Sequence, residues 1–279
     1  MADKPPLPHE EVQRILRRLE PLIADRRVVL VGGQAVSFWM RLLQPRSEEL
    51  ATVEPLTSKD IDFAGSAQAV RRGADLLEGR MKLATMDDNT PNPGLVLFTD
   101  GDGIEREIDF IDAPLGLSHR DVRDTAVQLM LSDEDGNPTI PILVMHPERC
   151  MESRIVNAVE LRKTQPLALR QLEVSIACAG LWSQVILDTE DLSEEQRVRA
   201  VSKINERIFR KCLKDRRFRD VLLDHGIDPF DAVLLDDPRL PDQLREQRYP
   251  QMQAQLTDRL KRDRRNRQRR AKAASASKA

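Results

Sequence analysis

Apolar residues recur in two rhythms along this chain, and the change from one to the other divides it. Val12, Ile15, Leu16, Leu19 and Leu22 fall at helical spacing and predict an opening helix from about His9 to Ala24. A continuous apolar run, Val28-Val29-Leu30-Val31, reads as a buried strand, and a helix over Gln34–Leu43 follows it. Ala67–Glu78 is amphipathic with a helical period. Strand rhythm returns at Met81–Thr85, Leu95–Thr99, Ile104–Ile111, Thr125–Leu131 and Thr139–Met145. Asp-Gly-Asp-Gly at Asp100–Gly103 signals a hairpin turn. Asp133–Pro138 signals another; it lacks the spaced ligands and closing Glu of a calcium loop.

From His146 onward glycines thin out and the pattern turns helical. Pro147 opens a helix to about Lys163, and a second covers Leu167–Leu187. A third starts at the cap Ser193-Glu194-Glu195-Gln196, with more expected at Arg216–Asp224 and Asp242–Arg265. The expected fold is α/β (α+β). A mixed sheet flanked by helices occupies residues 1–145, an α-helical domain 146–254, and a basic, partly disordered tail 255–279.

The polar positions within this pattern carry the chemistry. In Ser58-Lys59-Asp60-Ile61-Asp62-Phe63 the two aspartates share one strand face, while Ile61 and Phe63 take the other. Adjacent carboxylates repel unless a cation lies between them, and a divalent metal holding nucleotide phosphates meets that need. Gly32-Gly33 stands where the first strand turns into a helix, so backbone N–H groups are free to bind a phosphate that glycine lets approach. In Ile104–Ile111, Glu105, Glu107 and Asp109 share a face opposite Ile108 and Phe110. Asp109 sits deepest in the apolar part of the run and is the expected third carboxylate; Glu105 and Glu107 read as an exposed strand face. Lys59 falls on the strand face away from both aspartates, Ser58 reads as a cap or phosphate contact, and Phe38 and Trp39 read as core. Val28–Val36 also resembles the opening of a dinucleotide-binding unit, but the full Gly-x-Gly-x-x-Gly spacing is missing.

Together GGQAV, SKDIDF and EIDFIDAPLGL resemble the DNA polymerase beta-type nucleotidyltransferase superfamily, nearest its bacterial AbiEii/AbiGii toxin-like branch. The resemblance covers roughly the first 115 residues, with Gln44–Thr57 as an insertion-like loop between the glycines and the acid pair. It implies a nucleotidyltransferase-like fold that moves a nucleoside monophosphate from an NTP to an acceptor hydroxyl on RNA, such as tRNA, or on protein. It also implies Mg2+ or Mn2+ at Asp60, Asp62 and Asp109. Nucleotide binding falls to Gly32, Gly33, Ser58 and Arg154, the last replacing a lysine of the relatives. A toxin-like role and an antitoxin or other protein partner follow from the same resemblance. Gln171 stands where relatives carry an aspartate, and that lost charge favours a second reading. In it the chain is a catalytically weak member that binds nucleic acid or protein.

Charge refines this picture. Residues 255–279 hold ten Lys/Arg against two Asp, a net of +8, so the total of −2 leaves −10 for residues 1–254. The run Lys261–Arg270 reads either as a contact for a phosphate backbone or as a solvated helix end. Cys150, Cys178 and Cys212 are too scattered for a zinc site or disulfide framework, as are His9, His119, His146 and His225 for a histidine metal site. No apolar run reaches the ~18–20 residues of a membrane span, and Met1–Pro6 lacks the apolar core of a signal peptide. A cytoplasmic location is therefore expected.

Overall fold

Seven strands pair into one mixed sheet among the residues described by the computed structural model, which are 5–276 apart from 55, 57, 86, 89, 91 and 133–137. They are β1 (Val29–Val31), β2 (Ile61–Ala64), β3 (Arg80–Leu83), β4 (Gly94–Thr99), β5 (Glu105–Ile111), β6 (Val127–Ser132) and β7 (Pro138–Val144). Their order is β3-β4-β5-β2-β1-β7-β6. The pairs β1–β7 and β2–β5 run parallel, and the other neighbours antiparallel. The turn expected over Asp133–Pro138 lies outside the described residues except for Pro138, where β7 begins.

The helices around the sheet start with α1 (His9–Arg18), α2 (Glu20–Ala24), α3 (Gly32–Leu43), α4 (Glu48–Ala51), α5 (Ala67–Leu77) and α6 (His119–Thr125). Then come α7 (Pro147–Val159), α8 (Pro166–Asp188), α9 (Glu194–Lys214), α10 (Arg216–His225) and α11 (Tyr249–Ala276). The expected opening helix is two helices, because Pro21 in the first turn of α2 has no N–H to continue the ladder. Within Gln44–Thr57, α4 is short and capped by the Ser47 hydroxyl, which accepts from Leu50 N at 3.3 Å. The sequence pattern missed α6, although Ser118 and Asp121 form a capping box at its start. The Ser193–Gln196 box does open α9. A π-helical turn at Gln243–Arg248 leads into α11, which continues as helix to Ala276, beyond the expected end at Arg265.

The core of the sheet unit is built by β1, β2, β5 and α3. Ten of the twelve residues of α3 are buried, which is why its sequence is mostly apolar. Trp39 anchors it, donating from Nε1 to the Met145 carbonyl at 2.7 Å. Ile61 and Phe63 of β2 align with Ile108 and Phe110 of β5, and all four are fully buried.

The chain divides into two compact units, Met1–Asn157 with Thr164–Ser175, and Ala158–Lys163 with Ile176–Ala279. The sheet unit thus extends past residue 145. Cys150 donates its thiol hydrogen to the Met145 carbonyl, Val156 packs against Gly116, and Arg154 bonds Gln171, so α7 and the start of α8 belong with the sheet. The second unit is helical, and Asn205 crosslinks it by donating to the Leu234 carbonyl and the Tyr249 hydroxyl at 2.8 and 2.9 Å. Among the described residues no helix is long and apolar enough to cross a membrane.

Candidate active site

β2 lies between β1 and β5, and its register sets Asp62 beside Val31 on one side and beside Asp109 on the other. Paired strands run about 4.8 Å apart, and aligned residues of a parallel pair share a face. The carboxylates of Asp62 and Asp109 therefore stand side by side. The apolar pairs on the opposite face, with Phe63 and Phe110 stacked at 5.8 Å, hold this register, because a slip of one residue would bury the acids. Asp60 lies in the bend just before β2, so the acid pair brackets the entry to the strand.

Electrostatics tie these acids together. The Asp109 carboxyl is pushed up to about 7, first by burial, then by the charges of Asp62, Glu107 and Asp60, and last by a hydrogen bond with Glu107. Glu107 was expected on an exposed face; it is instead a half-buried member of the carboxylate cluster. Only Glu105 is exposed, paired with Arg80 at 2.6 Å. The sequence signal for Glu107 was its period-two spacing from Asp109.

Gly32 and Gly33 open α3 directly against this cluster. Gly32 has φ +68°, and a Cβ built on it would lie 1.9 Å from Asp62 Oδ2, so only glycine fits. The Val31 side chain at the cap position makes no hydrogen bond to the start of α3, where the first backbone N–H groups of the helix gather beside Asp62. A Cβ on Gly33 would lie 3.0 Å from Gln171 Nε2 and 3.3 Å from Ser58 Oγ. Arg154 donates from Nη1 to Gln171 Oε1 at 3.0 Å. Burial pulls the Arg154 guanidinium below the ordinary arginine range, opposed by the nearby Cys150 and Asp62. Gly32, Gly33, Ser58, Asp60, Asp62, Asp109 and Arg154 are thus brought together within the sheet unit, along with Glu107 and Gln171.

The Gly32 contact gives a direct expectation. A Cβ-bearing residue at φ > 0 costs roughly 1–2 kcal/mol. Gly103 has φ +78° with nothing within 4 Å of a built Cβ, so Gly103→Ala bears only that conformational cost. Gly32→Ala adds the displacement of Asp62 and should be clearly the less stable of the two by chemical denaturation. Equal losses would mean that Asp62 moves aside freely.

The donors around Asp109 are carboxylate oxygens, the hard ligands that Mg2+ and Mn2+ prefer. Among the described residues no group of three His, Cys, Asp or Glu side chains is already arranged to hold a metal ion. The three cysteines are buried thiols, and burial pushes Cys150 up to about 12.

The second unit presents cations of its own. Arg207, Arg210, Lys211 and Lys214 recur at i, i+3, i+4 and i+7 on α9, and with Arg216 and Arg217 of α10 they line a groove of about 580 Å3. Some of this charge is compensated. Arg210 faces Glu206, and Arg217 is held by Asp215 and Glu160 at 2.7 and 2.8 Å. Helix α11 is clamped to α10 by Arg219 with Asp263 and by Arg267 with Asp220, each pair at 2.6 Å. Arg264, Arg265, Arg269 and Arg270 remain exposed on it.

No family model matches the chain, and no curated protein matches it. Among solved structures it is similar to the crystal structure of the Megavirus polyadenylate synthase, at 10% identity and a TM-score of 0.34. That similarity covers 78% of this chain and 50% of the viral one, so the chain spans about half the length of that protein.

Proposed function

We propose that this protein is a metal-dependent nucleotidyltransferase, moving a nucleoside monophosphate from an NTP to an acceptor hydroxyl. The observation that carries this reading is the pairing of Asp62 with Asp109 across β2 and β5, directly against the glycine turn that opens α3. Asp60, Asp62 and Asp109 would hold Mg2+ or Mn2+, with Glu107 beside them. When bound, the cation neutralises the triphosphate and the carboxylates and polarises the phosphoryl group under attack. The chain's own residues supply the rest. The N–H groups at the start of α3 and the Ser58 hydroxyl bind phosphate oxygens, and the Arg154 guanidinium adds positive charge beside them. The acceptor oxygen attacks the α-phosphorus, its proton passes to Asp109, and the bond to the β-phosphate breaks to release pyrophosphate.

For the acceptor we favour RNA, held by its phosphates on the second unit's exposed cations. The same surface also favours the second reading, a nucleic-acid-binding protein with little catalysis. A toxin-like role in the cytoplasm, with an antitoxin or other protein partner, belongs to the enzymatic reading.

The test is to incubate the protein with each labelled NTP, Mg2+ and total RNA, and to follow the label. Label on RNA is expected. A companion variant with Arg264, Arg265, Arg269 and Arg270 changed to Glu keeps the clamps at Asp263 and Arg267, whereas truncation would strip the partner from buried Arg219. It should weaken RNA binding and flatten its log–log salt dependence by about 0.7 per lost single-strand contact. If no acceptor is labelled while RNA is still bound with a steep salt dependence, the binding reading wins.

A further inference from the structure

Gln171 reads from the sequence as a missing aspartate; the structure gives it work of its own. It lies near the start of α8, is 7% exposed, and belongs to the sheet unit. Its orientation is fixed by chemistry. An arginine only donates, so the atom facing Arg154 Nη1 at 3.0 Å must be the amide oxygen. The amide nitrogen then faces the start of α3, 3.0 Å from where a Gly33 side chain would begin, and Ser58 Oγ approaches the same point to 3.3 Å. Among the described residues Gln171 Nε2 has no hydrogen-bond acceptor of its own. Among the described residues the Arg154 Nε atom is buried and has no acceptor. Gln171 Nε2 and Ser58 Oγ thus converge on the start of α3, where glycine leaves room and the Val31 side chain supplies no cap.

We propose that Gln171 makes the start of α3 a subsite for the terminal phosphates of a nucleoside triphosphate. Its Nε2 donates to a phosphate oxygen, while its Oε1 holds Arg154 in place without cancelling its charge. This rests on the nucleotidyltransferase reading and deepens it by assigning the residue that selects triphosphate over monophosphate. An acid at this position would form an ion pair with Arg154 and oppose the incoming phosphates. The neutral amide leaves the guanidinium's full charge for a ligand whose own charge grows with each added phosphate.

Calorimetric titration with MgATP, magnesium tripolyphosphate and AMP tests this on the full chain. Gln171→Glu should weaken ATP and tripolyphosphate by about 30-fold or more, since a hydrogen bond to a charged group is lost and a repulsion added. AMP affinity should change less than about twofold, because a monophosphate at the carboxylate side does not reach the subsite. Gln171→Met keeps the side chain's size without its polar atoms and should lose about tenfold for the triphosphates alone. Its unfolding curve confirms that the fold is intact. Equal loss for AMP and ATP, or no loss in Gln171→Glu, overturns the proposal while leaving the nucleotidyltransferase reading standing. Wild-type protein that binds neither ATP nor tripolyphosphate overturns both.

Discussion

Replacing Asp100 with alanine is expected to lower the stability of the sheet unit by about 3–5 kcal/mol, the usual cost of stripping one partner from a buried ion pair. Asp100 accepts from Arg106 Nε at 2.7 Å, and the two side chains are 0% and 2% exposed. The same carboxylate closes the β4–β5 turn, accepting from Asp102 N at 3.0 Å and Ile104 N at 2.8 Å. Arg106 also donates to the Pro5 carbonyl at 2.6 Å, tying the N-terminal segment to the sheet. Without Asp100 the guanidinium stays inside the unit with no counter-charge. Asp100→Asn keeps an acceptor for the turn and should lose less. The pH dependence has a definite sign. Burial alone would raise the Asp100 pKa, but Arg106 and the two N–H groups outweigh it and hold the carboxyl below its ordinary value of 3.8. The stabilisation is therefore fully present above that value and disappears as pH falls through the lower, folded-state pKa. Denaturant unfolding read from Trp39 fluorescence in a Trp182→Phe background isolates this unit, since Trp182 lies in the other. A loss below about 1 kcal/mol would mean that water or a shifted backbone replaces the carboxylate.

Arg106 also shows where the sequence stopped being legible. The alternation in Ile104–Ile111 correctly put Ile108 and Phe110 on the buried face, and by the same period Arg106 had to lie there too. A charge on that face looks like an error until its partner is known, and the partner sits six positions earlier, in the hairpin loop that read only as a turn. Short-range periodicity states which face a residue takes; it does not state what waits there. The same limit applies at the site. The spacing of Gly32, Asp62 and Asp109 was readable because strand period and turn chemistry are local. That Asp62 aligns with Asp109 depends on β2 pairing with β5 in parallel, a contact across 47 positions. Glu107 looked solvated because nothing local says that the neighbouring strand brings two more acids. Gln171 looked like a lost charge because its contacts, Arg154 and Gly33, come from two other helices. On α9, by contrast, the cationic stripe at Arg207, Arg210, Lys211 and Lys214 was plain in the helical period and needed only to be sought.

Asp62→Asn should lower nucleotidyl transfer by about 10³-fold or more while leaving the apoprotein folded, and Asp109→Asn should do the same. The activity loss follows from the proposed role. Removing one carboxylate from a divalent-metal site forfeits several kcal/mol of transition-state charge stabilisation. The retained stability follows from the cluster itself. Asp109 titrates near 7 in the fold against an ordinary value of 3.8, so the folded protein holds a proton that the unfolded chain has released. With the metal absent, that group favours the folded state fully below about pH 4. The advantage fades as pH rises and is gone above about pH 7. Asp109→Asn removes this slope, so it should melt at the same temperature as wild type near pH 4 and higher than wild type at pH 8. Magnesium should narrow the gap at pH 8 by stabilising wild type more than the variant, because a ligand that binds only the folded state raises its melting temperature. A variant that melts lower than wild type at pH 8 would show that the Asp109 carboxylate is held by a favourable partner. The reading of the cluster as mutually repelling acids would then fail, whatever the activity assay shows.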